Sequence, residues 1–432
     1  MYDIVSFGAI SDGNTVNTAA IQKAVDSCAA AGGGTVNVPG GTFVTGTIWL
    51  RDNVELHLEM GARLLGSPNL DDYCADDAFA QNHASQKEQW NGAHLILGVE
   101  VNNVAVTGPG TIDGNAEEFF EPEALHGGAG YAWNQGIRHA KDKVRLRPGQ
   151  MLFFCESSHV KVQNVNLVNA SCWTCLFLGC DHVIADSLTI TNSPTGANTD
   201  GIDIDCCECV TVSNCIITTG DDGITLRGNF ARLKDKSRVC QDIAITNCVL
   251  DTSVCAFRIG VGNGIIRNAS ISNIVIRRAA TGFLFQSAYW EPSKGVDISN
   301  IRIANIQSHS LGHPVVISAG AASATAQIED IVIDGFQGEC FAGCEFRGKA
   351  ATRPRHIALR NFDLKIVDCP LKINSPDALS KTFLHFSAVD DIMLDTVRLR
   401  WAVQTTPWSG VQSIDDAQVS ILPNCLLDRK NA

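Results

Sequence analysis

Carboxylates gather in two short segments of the chain. Asn198-Thr199-Asp200-Gly201-Ile202-Asp203-Ile204-Asp205 is followed, at an offset of 22 residues from Ile202 to Ile224, by Gly220-Asp221-Asp222-Gly223-Ile224-Thr225-Leu226-Arg227. With Ile202 laid over Ile224 and Ile204 over Leu226, Asp200 stacks against Asp222 and Asp221 stands beside them. Three carboxylates that close cannot all stay ionised cheaply, so at least one is expected to hold a proton near neutral pH. A protonated carboxyl beside an ionised one suits glycosidic cleavage: one group protonates the leaving oxygen, the other directs water or attacks. The same residue types also serve as Asp-Gly turns and as calcium ligands. Asp203 and Asp205 alternate with the apolar Ile202 and Ile204 and so face outward, either shaping a groove or solvated; solvation is expected for at least one.

Such stacking needs a repeating scaffold, and the chain repeats. Val160-Lys161-Val162-Gln163-Asn164, Val210-Thr211-Val212-Ser213-Asn214 and Ile243-Ala244-Ile245-Thr246-Asn247 share one pattern. Ala269 to Asn273, Val296 to Asn300 and, more weakly, Ile357 to Asn361 repeat it, the steps from Asn247 to Asn273 to Asn300 being 26 and 27 residues. Alternation at period two marks strands, and copies every 20 to 35 residues mark a solenoid. Between the copies lie second apolar stretches such as Leu176-Phe177-Leu178, with no room for a crossover helix. The pattern predicts coils of a parallel β-helix, with inward columns of Ile, Val, Leu and Cys and Asn in tight left-handed bends.

At the start, Thr18 to Ala31 reads as one helix. Thr18 can cap it, Ile21, Val25 and Cys28 share a face, and Gly32-Gly33-Gly34 stops it. A helix there suits a cap over the open end of the apolar column. Residues 71–94 and 115–147 lack the repeat and read as long loops beside the coils, where binding groups concentrate. The expectation is one domain, 1–432, with a cap over about 1–35.

Composition narrows the functional classes. The 432 residues carry 33 basic and 46 acidic side chains, a net charge of −13, so no global basic field attracts nucleic acid. No run of 18 apolar residues suggests a membrane span, and the first residues lack the basic and apolar regions of a secretory signal. Seventeen cysteines in a long chain with no such signal read mainly as apolar fillers of a reduced core, the Cys172/Cys175 and Cys206/Cys209 pairs included. These features lean toward a reducing cytoplasm, with a secreted protein whose signal has been removed as the alternative.

The paired acidic motifs resemble those of glycoside hydrolase family 28, the polygalacturonases and rhamnogalacturonan hydrolases, which carry Asn-Thr-Asp-Gly and then Gly-Asp-Asp at similar spacing. Phe7-Gly8-Ala9 with Asp12-Gly13, Gly34 to Pro39, Gly108 to Gly114 and Arg147-Pro148 follow the family's order, so the likeness runs over roughly 4 to 310. The resemblance implies an all-β, single-stranded, right-handed parallel β-helix that hydrolyses with inversion. By motif position it implies Asp221 as general acid, with Asp200 and Asp222 holding the attacking water. Spacing alone points the other way, because neighbouring coils set carboxylates near the roughly 5 Å separation of retaining enzymes.

The chain departs from the family at two places. Val254 stands where the family has a supporting histidine, and Leu284 and Gln286 stand where it has an Arg and a Lys that grip a substrate carboxylate. Leucine does not replace a bidentate guanidinium contact, so the expected substrate is not plain polygalacturonate. Arg227, Arg258 and Arg147 remain as cations for substrate, with charge balance as their alternative role. Asn198 and Gln286 complete the polar candidates, and Trp133 and Trp290 are the expected sugar-stacking residues; Trp173 is expected to pack in the core. No metal or cofactor is expected, and the partner is an oligo- or polysaccharide; the sequence does not specify the oligomeric state. A β-helix lyase or epimerase, and a glycan-binding protein without turnover, are the alternatives.

Overall fold

A computed structural model describes the chain except residues 76, 85–91, 121–146, 290–293, 321–323, 369–381, 403–409 and 428–432, and except the side chains of 83 and 84. The chain is an all-β parallel β-helix: short strands pair in parallel with the equivalent strands of neighbouring coils. The described residues fall into two compact units. Those of Met1–His126, Gly136–Asp221 and Phe230–Arg238 form the first, and those of Asp222–Asn229 and Val239–Ala432 belong to the second.

In the first unit three strand columns run side by side. One stacks Gly34–Val38, Val54–Leu58, Asn102–Thr107, Ser158–Gln163, Asp181–Asp186 and Glu208–Ser213. A second includes Ala62–Gly66, Thr111–Asp113, Asn166–Val168, Thr189–Thr191 and Ile216–Thr219. The third stacks Ile48–Trp49, Ile96–Val99, Leu152–Cys155, Cys175–Leu178 and Ile202–Asp205. Register follows from the alternation. Val160, Val183 and Val210 stack, as do Val162, Ala185 and Val212, and all are buried. A slip of one residue would send each of these columns to the outer face.

The N-terminal helix spans Thr18–Ala30 and buries Ile21, Ala24, Val25 and Cys28. Its N-cap is Asn17 rather than Thr18; the Thr18 hydroxyl instead accepts the Gly46 N–H at 2.7 Å. Gln22 satisfies the edge strand Ile48–Trp49, donating to Trp49 O at 3.0 Å and accepting from Trp49 N at 2.8 Å. Gly33 ends the helix at φ 107°, and a Cβ there would lie 2.4 Å from Asn53 O. The described parts of 71–94 hold no strand, only the short 3-10 turns Leu70–Asp72 and Ala80–Ala84.

The second unit uses longer, bent strands. Cys240–Thr252, Ile265–Gln286, Asp297–Ser318, Ile328–Cys340, Arg355–Ile366 and Asp390–Trp401 pair in succession. Stacked rings fill its interior, Phe257 on Phe283 at 5.0 Å and Phe336 on Phe362 at 5.4 Å. Across the chain the expected left-handed bends are present at Asn164, Asn214, Asn247, Asn273, Asn300 and Asn361, with φ between 52° and 58°. One register expectation fails. Asn247 stacks on Asn273 and then Asn305, while Asn300 stacks on Asn268, so the coil after Asn273 is longer than 27 residues. Two bends of similar sequence lie within that coil, and alternation alone cannot tell them apart.

The thiols act largely as core. Cys155, Cys175, Cys340 and Cys344 are buried, and burial raises each thiol's pKa, that of Cys344 to about 12. Cys206 and Cys209 part company: the first is buried and the second exposed.

Candidate active site

In the first unit the Asn-Thr-Asp segment is held by a buried polar lattice. Asn192 donates to Thr174 Oγ1 at 2.7 Å and to Thr199 O at 3.2 Å, and accepts from Ala170 N at 2.9 Å. Thr199 Oγ1 donates to Gly196 O at 2.9 Å and accepts from Gly220 N at 3.0 Å. The Thr174 N–H donates to Asp200 O at 2.8 Å. Gly220 is required by this closeness, since a Cβ there would stand 2.4 Å from Gly196 O and 2.5 Å from Ser193 O. Thr219 Oγ1 then fixes the next peptide by donating to Asp221 O at 2.7 Å.

These bonds bring Asp200 and Asp221 together. Each offers a carboxylate oxygen within 4.8 Å of the other, and both residues are buried, with 5% and 7% of their surface accessible. Asp222 follows by one peptide bond and opens the second unit. Its Oδ1 accepts the Cys255 N–H at 3.1 Å, and its Oδ2 forms an ion pair with Arg258 Nε. The Arg258 side chain is 12% exposed and that of Asp222 4%. The Arg258 guanidinium also lies 5.2 Å from the centre of the exposed Tyr289 ring and reaches Gln286 Oε1 at 3.5 Å, a long contact.

The other candidates have distinct surroundings. Arg147 is buried: it donates to Ala197 O at 2.6 Å and to Asn198 Oδ1 at 2.9 Å, and lies over the Phe120 ring at 5.4 Å. It therefore positions the loop ahead of Asp200. Asn198 is exposed at φ 53°, a conformation its side chain tolerates. Arg227 is buried, and Thr225, not Arg227, sits opposite Arg258 in the register. Leu284 is opposite Arg258 and Gln286 opposite Gly260. Trp173 packs in a buried cluster with Phe153, Leu176, Leu178 and Leu233. Trp133 and Trp290 lie outside the described residues, as does the basic stretch before Arg147.

Asp203 and Asp205 are both buried, against the expectation that one is solvated. They do point outward, in register with Leu176 and Leu178, but in this column the outward face is itself covered by the Trp173–Leu233 cluster. Sequence reading also missed Asn192, Thr174 and Phe120. Nothing in their local pattern sets them apart, because their role depends on contacts from other coils.

Sequence comparison places residues 55–234 in a match to the model for glycosyl hydrolases family 28. An exo-poly-alpha-D-galacturonosidase of Dickeya chrysanthemi is 27% identical over 349 residues, covering 73% of this chain but 56% of that protein. The chain thus spans little more than half of that relative's length. A probable polygalacturonase of Vitis vinifera is 23% identical over 92% of this chain and 85% of its own. The solved family 28 exopolygalacturonase of Yersinia enterocolitica superposes with a TM-score of 0.73 at 20% identity, over 98% of this chain and 78% of that one, a likeness of fold. Residues 55–234, less than half of the chain, thus carry a likeness to glycosyl hydrolases family 28.

Proposed function

We propose that the chain hydrolyses glycosidic bonds of a pectic or related plant-wall glycan other than plain polygalacturonate. Asp221 protonates the leaving oxygen, and Asp200 and Asp222 orient the attacking water. The observation that carries this reading is the buried approach of Asp200 and Asp221 to within 4.8 Å. Sharing a proton between two such carboxylates is cheaper than holding two charges, so one carboxyl acid is available to donate. The relatives' names, polygalacturonases and a galacturonosidase, support the pectic class.

The finer substrate assignment rests on cations. Leu284 and Gln286 offer no charge to a uronate carboxylate, and Arg258 is already paired with Asp222. A substrate sugar that presents hydroxyls rather than a carboxylate at this point avoids breaking that pair. Rhamnogalacturonan and neutral branched linkages meet the requirement. Tyr289, exposed beside Arg258, offers a ring face for a sugar.

Release of reducing ends from polygalacturonate, rhamnogalacturonan fragments and neutral oligosaccharides tests the assignment. The expected order places rhamnogalacturonan or a neutral linkage at least tenfold above polygalacturonate in kcat/KM; the reverse order removes it. Proton NMR of the first-formed product tests inversion. The short spacing of the carboxylates sits nearer the retaining geometry, so a product that keeps the substrate's anomeric configuration would reassign Asp200 or Asp222 as a nucleophile. Ultraviolet absorbance from an unsaturated uronate product would instead indicate a lyase.

A further inference from the structure

A second constellation stands in the first unit, in a different strand column from Asp200. An oxygen of Asp181, a ring nitrogen of His182 and the Sγ of Cys209 all lie within 4.8 Å of one another. Asp181 is half-buried, and His182 and Cys209 are exposed. Asp181 Oδ1 is 3.0 Å from His182 Nδ1. The His182 ring is backed by His159, stacked on it at 4.9 Å and 11°, and His159 Nδ1 is in turn held 3.0 Å from Asn102 Oδ1.

The register makes the choice of residues informative. Asn53, Asn103, His159, His182 and Cys209 occupy one position in successive coils, each at φ between 53° and 59°. That left-handed backbone suits Asn, whose amides also bond along the ladder, as Asn103 does to Asn53 at 2.9 Å. In the coils that form the cluster, His182 and Cys209 stand at this position in place of Asn.

We propose that Asp181, His182 and Cys209 bind a divalent transition ion of the zinc class, with solvent completing the coordination. A carboxylate, an imidazole and a thiolate form a borderline donor set suited to zinc rather than to calcium or magnesium. The thiol loses its proton to solvent as the metal–sulfur bond forms. Bonds of about 2.0–2.3 Å at tetrahedral angles need donors roughly 3.3–3.8 Å apart. Rotation of the two exposed side chains closes the remaining gap. Because His182 and Cys209 belong to successive coils, the ion ties those coils together, and zinc raises the thermal midpoint by mass action.

The test is titration of the reduced full chain with Co2+, followed by Zn2+. One equivalent of Co2+ is expected to raise a thiolate-to-cobalt charge-transfer band, which Zn2+ then abolishes. Cys209→Asn is expected to remove the band, weaken Zn2+ binding at least tenfold and abolish the zinc-dependent rise in midpoint, with glycan hydrolysis unchanged. His182→Asn, also at ease at this φ, is expected to weaken binding at least tenfold. Cobalt bound by the carboxylates around Asp221 gives no thiolate band. A wild-type chain without the band, or a band that survives Cys209→Asn, overturns the proposal.

Discussion

Replacing Asp221 by Asn probes the charge crowding on which the acid assignment rests. The substitution keeps the shape of the side chain and removes one charge. Asp200 and Asp221 present oxygens no farther than 4.8 Å apart in a buried setting. At an effective dielectric constant of about 20, two full charges at that distance repel by about 3.5 kcal/mol. Sharing a proton relieves part of this, so the variant is expected to gain about 1–3 kcal/mol at pH 7. The sign follows from linkage. A carboxyl whose proton is held more tightly in the folded state than in the unfolded one costs stability as pH rises. The advantage of Asn therefore grows as pH rises. The rate should fall about 10²- to 10⁴-fold, the usual worth of a general acid. Denaturant midpoints of both proteins at four pH values, with initial rates on the best substrate of the panel, read both effects. Turnover within tenfold of wild type removes Asp221 as the acid. A variant destabilised at pH 8 refutes the crowding itself.

Three further outcomes follow from other contacts. Arg258→Met leaves Asp222 buried without its ion-pair partner, and breaking such a pair costs about 3–5 kcal/mol; Asp222→Asn in the same chain should recover most of it, and additive losses in that double-mutant cycle would refute the coupling. Gly220→Ala drives a methyl to 2.4 Å from Gly196 O, so a midpoint drop and a rate loss of at least tenfold are expected together; an unaltered midpoint would show that the loop yields. His94, fully buried with Nδ1 3.0 Å from Gln150 O, is pushed down to about 3, chiefly by burial. It stays neutral in the fold while the unfolded chain takes up the proton below about pH 6.5, so stability is complete above that pH and drains as pH falls toward 3. Between pH 8 and pH 5 the loss is about 2 kcal/mol, and a His94→Phe chain should lack that slope in its denaturation midpoints.

Much of this was legible from periodicity. Val160, Val162, Val210 and Val212 alternate with polar residues, and alternation states which side of a coil each faces; the coils follow. The Asn bends were equally readable, because a left-handed residue at a fixed place in each repeat needs a side chain that tolerates it. The register beyond Asn273 was not, because Asn300 and Asn305 both close alternating runs and only the pairing partners separate them. Of the site, Asp200, Asp221 and Asp222 were visible as a cluster of costly charges. Asn192 and Thr174 were not, since an isolated polar residue inside a strand or turn carries no mark of the bond it makes to another coil. Asp203 shows the same boundary from the other side. Alternation placed it outside the coil correctly, but outside the coil is not outside the protein once Trp173 and Leu233 cover that face.

In the proposed substrate assignment the pairing of Arg258 counts for more than its charge. A guanidinium offered to a uronate carboxylate has to be a free donor, as a bidentate contact uses two of its N–H groups. Here Nε is committed to Asp222, and the planar face lies toward Tyr289. Turning Nε to a substrate carboxylate would break the Asp222 ion pair, and the remaining N–H groups already face Gln286 and Cys255. Two consequences are coupled. Arg258 directs Asp222, and under the proposed substrate assignment it is not the group that grips a substrate carboxylate. Leu284, opposite it in the next strand, carries no charge. A sugar that brings hydroxyls to Arg258 and a ring face to Tyr289 leaves the ion pair intact, as the proposed substrate requires.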